Sequence, residues 1–170
     1  MSNIILLNGA CGIGKSTTSK LLHQKIEDSF LWGKDDQRRN ISHYKDTLEH
    51  RQRSWEMILD LTNHIIKFCI DKNIDLIFDW VLWEKEIIDR LIETTEKNGG
   101  NFFHIYLNTP KNIWKERIIE RGINSSLTFE RAEFFYNSLQ ELKKTMNMIE
   151  LDSSKISANE VCDKIIEFLK

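Results

Sequence analysis

The chain reads as one three-layer α/β/α domain, a parallel sheet covered on both faces by helices. Three observations predict it. Short uninterrupted apolar runs alternate with longer stretches whose apolar residues recur at helical spacing, as expected for strands buried on both faces and joined by helical crossovers. The first apolar run ends in a glycine-rich segment that leads directly into a helical pattern. A length of 170 residues, with one proline, seven glycines and no repeat or linker, suits a single domain with its own core.

Taken in order, residues 4–7 form the first strand, and residues 14–27 a helix with Leu21, Leu22 and Ile26 inward. Phe30, Leu31 and Trp32 make a second strand that ends in a polar turn at Gly33, Lys34, Asp35 and Asp36. Between residues 46 and 70, Trp55, Ile58, Leu59, Thr62, Ile65, Ile66 and Cys69 recur at helical spacing, and Asp71, Lys72 and Asn73 make a turn. Residues 74–78 are the third strand, closed by Asp79. Residues 84–97 are a helix stopped by Asn98, Gly99 and Gly100. The fourth strand covers 102–107. Thr109 as cap and Pro110 as first helical residue then open a helix that carries Ile113, Trp114, Arg117, Ile118 and Arg121 and stops at Gly122. Thr128 opens another helix running toward Thr145. Residues 146–151 form a fifth strand, and 158–170 a closing amphipathic helix with Val161, Ile165, Phe168 and Leu169 inward. Right-handed crossovers complete the three layers.

Composition excludes several classes of function. Hydrophobic residues at 41% and charged residues at 29% are ordinary for a soluble globular chain. A net charge of −2 argues against a broad nucleic-acid-binding surface. Cys11, Cys69 and Cys162 are odd in number and far apart, which argues against a disulfide framework or a cysteine metal site and fits a reducing cytoplasm. The start of the chain lacks a basic leader, and nothing approaches the ~20 apolar residues of a membrane span. Monomer and homodimer are equally compatible with the sequence.

The most specific motif is Gly9-Ala10-Cys11-Gly12-Ile13-Gly14-Lys15-Ser16, followed by Thr17. It matches G-x-x-x-x-G-K-[ST] between a buried strand and a helix, the setting in which that pattern cradles phosphates. Its glycines let the backbone wrap closely and aim N–H groups at phosphate oxygens, and the helix N-terminus adds partial positive charge. ATP with Mg²⁺ is the expected ligand: Lys15 reaching the β- and γ-phosphates, Ser16 ligating the metal. Cys11 is either a tolerated small residue or a thiol made reactive by the loop.

Other candidates lie at strand ends and helix ends. Asp79, at the carboxyl end of a buried strand, faces the ligand crevice of an open α/β sheet and suits a water-mediated hold on Mg²⁺; the alternative is a helix cap. Asp35 and Asp36 follow the second strand, where one carboxylate could orient or deprotonate an acceptor hydroxyl, Asp36 ahead of Asp35. Arg38 and Arg39, just downstream, suit an anionic acceptor or a solvated turn. Arg117 and Arg121, four apart on one helix face ahead of a short polar loop, could close over a transferring phosphoryl group, or else pair with Glu116 and Glu120. Arg131 is a weaker candidate of the same kind. Residues 43–45 and 50–53 line an acceptor pocket or a solvated face. Trp80 and Trp83 either stack on an aromatic or sugar acceptor or are core. His23, His64 and His104 have no metal-ligand spacing.

Together, the phosphate loop, the acidic pair at 35–36, strand-end Asp79, Arg117 and Arg121 before a short loop, and the segment 149–154 before the last helix resemble the P-loop kinases of nucleoside-monophosphate-kinase type. Within that group the chain is most similar to the small kinases related to shikimate kinase, gluconate kinase and chloramphenicol phosphotransferase. The resemblance implies sheet order 2-3-1-4-5, an acceptor-binding region at about 36–53, a lid at about 122–128 and an adenine site at about 152–156. Asp79-Trp80 stands where shikimate kinase has a glycine run, which counts against shikimate as acceptor. The expected activity is ATP-dependent phosphoryl transfer to a hydroxyl or phosphate of a small molecule. A nucleoside or nucleotide kinase, an antibiotic-resistance phosphotransferase and a nucleotide-dependent switch without transfer are the alternatives.

Overall fold

The computed structural model describes residues 1–40, 47–122 and 127–170, and only the backbone of Asp35, Arg38, Arg39, Leu48, His50 and Arg51. Five strands, β1 (Asn3–Asn8), β2 (Ser29–Gly33), β3 (Asp75–Asp79), β4 (Asn101–Asn108) and β5 (Ile149–Asp152), form one parallel sheet in the order β2-β3-β1-β4-β5. The described helices are α1 (Lys15–Lys25), α2 (Lys34–Asn40), α3 (Leu48–Lys72), α4 (Lys85–Lys97), α5 (Lys111–Arg121), α6 (Phe129–Leu142) and α7 (Ala158–Phe168).

The strands are continuous apolar runs because both their faces are covered. Ile4, Leu6, Leu76, Phe78 and Tyr106 point to the core shared with α3, α4, α5 and α6, while Ile5, Leu7, Ile77, Ile105 and Leu107 meet α1 and α7 through Leu22, Val161, Cys162 and Ile165. The alternation is the strand's period of two.

Local structure departs from the sequence reading at five places, one of them Phe168 of α7, expected inward but 49% exposed. The acidic pair does not sit in a turn: Lys34–Asn40 is the helix α2, which begins directly at the end of β2. α3 runs through Lys72, and the chain reverses at Asn73, whose φ of 54° is left-handed. Pro110 is the cap of α5 rather than its first residue, and the Thr109 hydroxyl makes no capping bond. β5 begins at Ile149, because Met146 and Met148 pack into the α3/α4/α6 core before the chain joins the sheet. Thr128 caps α6 as expected, its side chain accepting from the Arg131 N–H at 3.2 Å.

Strand register sets the site. Gly33 pairs with Asp79, and Asp79 with Leu7, so three strands end on one line. The segments that follow them, α2, residues 80–84 and the glycine-rich loop, therefore emerge side by side at the carboxyl edge, where ligands of open α/β sheets bind.

Asn8 fastens that edge. It is fully buried. Its Oδ1 accepts from the N–H of Gly9 at 2.8 Å and of Leu82 at 3.0 Å, and its Nδ2 donates to the Leu82 carbonyl at 2.7 Å and to His104 Nε2 at 3.1 Å. Two backbone N–H donors fix the amide orientation, so Nδ2 must be the atom facing His104, and Nε2 must carry the lone pair. His104 is thus held neutral, and burial lowers its pKa from 6.5 to about 4.

Unfolded, His104 takes up a proton near pH 6.5; folded, it resists until about pH 4. The unfolded state binds more protons between those values, so stability is complete above 6.5 and falls as pH drops through the window, by about 3 kcal/mol from this group. Chemical denaturation from pH 7 to 4 is expected to reveal that fall, and His104→Gln, which can still accept from Asn8, to flatten it.

Candidate functional site

The loop from Gly9 to Gly14 leaves β1 and enters α1. Its backbone uses conformations open to glycine: φ is 79° at Gly12 and 102° at Gly14, which is also the N-cap of α1. A β-carbon on Gly9 would lie 2.6 Å from the Leu107 carbonyl oxygen, so the loop can pass this close to β4 only without a side chain there.

The N-terminus of α1 has no side-chain cap and no acidic residue in its first turn. α4 and α5 also lack a side-chain cap, whereas α6 is capped by Thr128 and α7 carries a full capping box from Ser157 and Glu160. An uncapped helix start leaves N–H donors for a ligand, with the positive end of the helix dipole behind them. Lys15 folds back over the loop, is 7% exposed, and its Nζ donates to the Ala10 carbonyl at 3.0 Å. Ser16 and Thr17 are exposed in the first turn of α1.

α5 braces the loop from outside. Trp114 Nε1 donates to the Cys11 carbonyl at 3.0 Å, and Ile118 packs so closely that a β-carbon on Gly12 would come within 2.8 Å of its Cδ1. Cys11 is half-buried with a free thiol; its part in this bracing is played by its carbonyl. Neither contact could be read from local spacing, because Trp114 is 103 residues from Cys11.

Arg117 and Arg121 separate. Arg117 is half-buried and donates to Ser153 Oγ at 3.2 Å and to the Ser153 carbonyl at 2.9 Å. Ser153 Oγ in turn donates toward the carbonyls of Ile13 and Asn108, each at 3.1 Å, linking the phosphate loop, β4 and the loop before α7. Arg121 is exposed and ends α5, next to Gly122 with φ 80°. The lid read from the sequence continues into residues 123–126, which lie outside the described residues, as do 43–45 of the acceptor region.

Asp79 is half-buried at the end of β3, beside Leu7. Asp36 stands exposed in the first turn of α2, its Oδ2 3.0 Å from where a β-carbon on Gly33 would be. Gly33 therefore lets this carboxylate fold back over the strand end, a signal the sequence reading passed over. The backbones of Asp35 and Arg39 belong to the same helix; their side chains are outside the described residues. Among the described residues no cluster of three or more His, Cys, Asp or Glu side chains could hold a metal by itself. The hard oxygen donors Ser16 and Asp79 suit Mg²⁺ that also binds phosphate oxygens.

A strand, glycine-rich loop and uncapped helix with a buried lysine, at the carboxyl edge of a 2-3-1-4-5 sheet, form a nucleotide cradle. A family model for the AAA domain matches residues 4–145. The chain belongs to the AAA domain family. This AAA domain is 28% identical over 171 residues to the L-seryl-tRNA(Sec) kinase of Methanococcus maripaludis, a match covering 96% of the chain and 65% of that relative, so it spans less than two thirds of the relative's length. Its fold is that of the tunicamycin resistance protein of Deinococcus radiodurans, at TM-score 0.68 and 20% identity over 99% of this chain and 96% of the other. It also matches the shikimate kinase of Aquifex aeolicus, at TM-score 0.66 and 14% identity over 98% and 95%. The resemblance to small P-loop kinases drawn from the motifs is borne out, and so is the sheet order. No described helix of the AAA domain is long and apolar enough to cross a membrane.

Gly12→Ala is expected to lower the unfolding free energy by about 1–2 kcal/mol, from the left-handed backbone and the contact with Ile118. Adding Ile118→Ala should not relieve the backbone part. Urea denaturation of both variants and of Ile118→Ala alone checks this.

Proposed function

We propose that the chain is a kinase that transfers the γ-phosphoryl group of ATP to a hydroxyl of a small molecule. The observation that carries this reading is the uncapped start of α1, with Lys15 folded over it and Asp36 and Asp79 at the ends of neighbouring strands. In support, a relative at 28% identity is named as a kinase.

The loop N–H groups from Gly9 to Thr17 would bind the triphosphate, and Lys15 would turn from the Ala10 carbonyl to its outer phosphates. Ser16 directly, and Asp79 through water, would hold Mg²⁺, which supplies charge neutralisation to the phosphates when bound. The acceptor oxygen forms a bond to the γ-phosphorus, the bond to the β-γ bridging oxygen breaks, and ADP leaves with that electron pair. The acceptor's proton passes to Asp36. Arg121 is the arginine we assign to charge on the transferring group. Arg117, engaged with Ser153, is assigned to holding the loop before α7 in place for the nucleotide base. Asp35 and Arg39, on the same short helix as Asp36, are assigned to the acceptor, and the segment across 122–128 to excluding water. The net charge of −2 favours a small acceptor over a nucleic acid, and the cysteine pattern a reducing cytoplasm.

Lys15→Ala is expected to abolish ATP-dependent transfer in a protein that unfolds at the wild-type temperature. Asp36→Asn should reduce kcat by about 10²–10⁴-fold while leaving the ATP dissociation constant within about twofold. Calorimetric ATP binding alongside ADP release measures both. Equal loss of ATP binding in Asp36→Asn would make Asp36 structural.

A further inference from the structure

Residues 80–84 lie against the start of the phosphate loop. The Trp80 N–H donates to the Leu7 carbonyl at 3.3 Å, and Asn8 grips Leu82 from both sides. Aromatic rings from three elements gather on this segment. Trp55 of α3 lies 5.3 Å from Trp80 and 6.5 Å from Trp83 between ring centroids, and Phe135 of α6 lies 4.8 Å from Trp83. Trp55, Trp83 and Phe135 are all half-buried, so part of each ring stays open to solvent. Lys34, two residues before Asp36, sits 5.4 Å over the Trp55 ring, which ties this wall to α2.

Two buried polar atoms in the segment have no partner among the described residues: Trp80 Nε1, on a side chain 2% exposed, and Glu84 Oε2. One is a donor. The other is an acceptor when ionised and a donor when protonated; burial raises the Glu84 pKa, against bonds from the backbone N–H groups of Glu84 and Trp83 that lower it. Buried polar groups left without partners are costly, and a ligand that supplies the partners recovers that cost. A hydroxyl both accepts and donates, so it answers either atom. A carboxylate or phosphate would meet repulsion from Glu84 in its ionised form, which the charge of Lys34 offsets in part. Trp83 and Glu84 also line an open surface groove of about 460 Å³, shared with Lys85 and Glu86 of α4 and with Ser138, Glu141 and Leu142 of α6.

We propose that this aromatic wall takes a neutral hydroxylated ring as the phosphoryl acceptor, a sugar or the ribose of a nucleoside, with its apolar face on Trp83 and a hydroxyl toward the Glu84 carboxyl. The proposal rests on the kinase reading above. The donor end is common to many acceptors; the wall is what selects a ring without net charge.

The test is made on the full chain. ATP binding is measured first by calorimetry, then initial rates of ADP release with neutral hexoses, nucleosides, sugar acids and sugar phosphates. A neutral ring is expected to be the acceptor, hexose against nucleoside deciding which. For that acceptor Trp83→Ala should raise KM by about tenfold with the ATP dissociation constant unchanged. Trp83→Phe should recover most of the loss, and Glu84→Gln should raise KM without changing the unfolding temperature. Transfer to anionic acceptors only, or unchanged KM in folded Trp83→Ala and Glu84→Gln proteins, would overturn the aromatic acceptor site and leave the kinase reading intact. ATP binding with no acceptor-stimulated ADP release would overturn the kinase reading itself, and this inference with it.

Discussion

The side chain of Asn8 is the constraint on which the ligand-binding edge depends. One buried amide, using both donors and accepting twice, joins the first residue of the phosphate loop, the segment after β3 and the imidazole of β4. The β1–β3 ladder ends at Leu7 and Asp79, so this amide takes over the connection to the segment after β3 where that ladder stops. Beyond that point the chain needs its own connections to keep three crossing segments in register, and a fully satisfied amide supplies them at the lowest count of side chains. The requirement extends to His104, which completes the set only while neutral.

A second bracket acts from the other side. Trp114 and Ile118 of α5 hold the loop at Cys11 and Gly12, and Arg117, on the same helix, reaches Ser153 ahead of α7. One helix thus positions the phosphate-binding turn and the loop before α7 together. Arg121, one turn further, is exposed. Four-residue spacing places two arginines on one face of a helix, yet the neighbours along that face differ, and so do the tasks the side chains can serve.

The sheet and the phosphate loop were legible in the sequence for the same reason: both are encoded locally. Strands covered on two faces must be apolar at every position, and residues 4–7 and 76–78 are. Helix α2 was not legible, since Lys34–Asn40 is polar throughout and has no apolar face to betray its period. β5 starts later than the apolar run suggests, because Met146 and Met148 are apolar for a different purpose, filling the core beside α6. Of the site, the residue types at strand ends could be read, but not the partnerships: Asn8 with Leu82 spans 74 residues, Arg117 with Ser153 36. The faint signals were a polar residue closing an apolar strand at Asn8 and a histidine inside one at His104.

Lys15 is closed down on the Ala10 carbonyl and buried against its own loop. A lysine in water loses rotamer freedom along its whole stem when it is held in one place. Here the fold itself has ordered that stem, so the ammonium already stands over the loop. A charged group ordered in advance spares whatever binds beside it that part of the entropy cost of association.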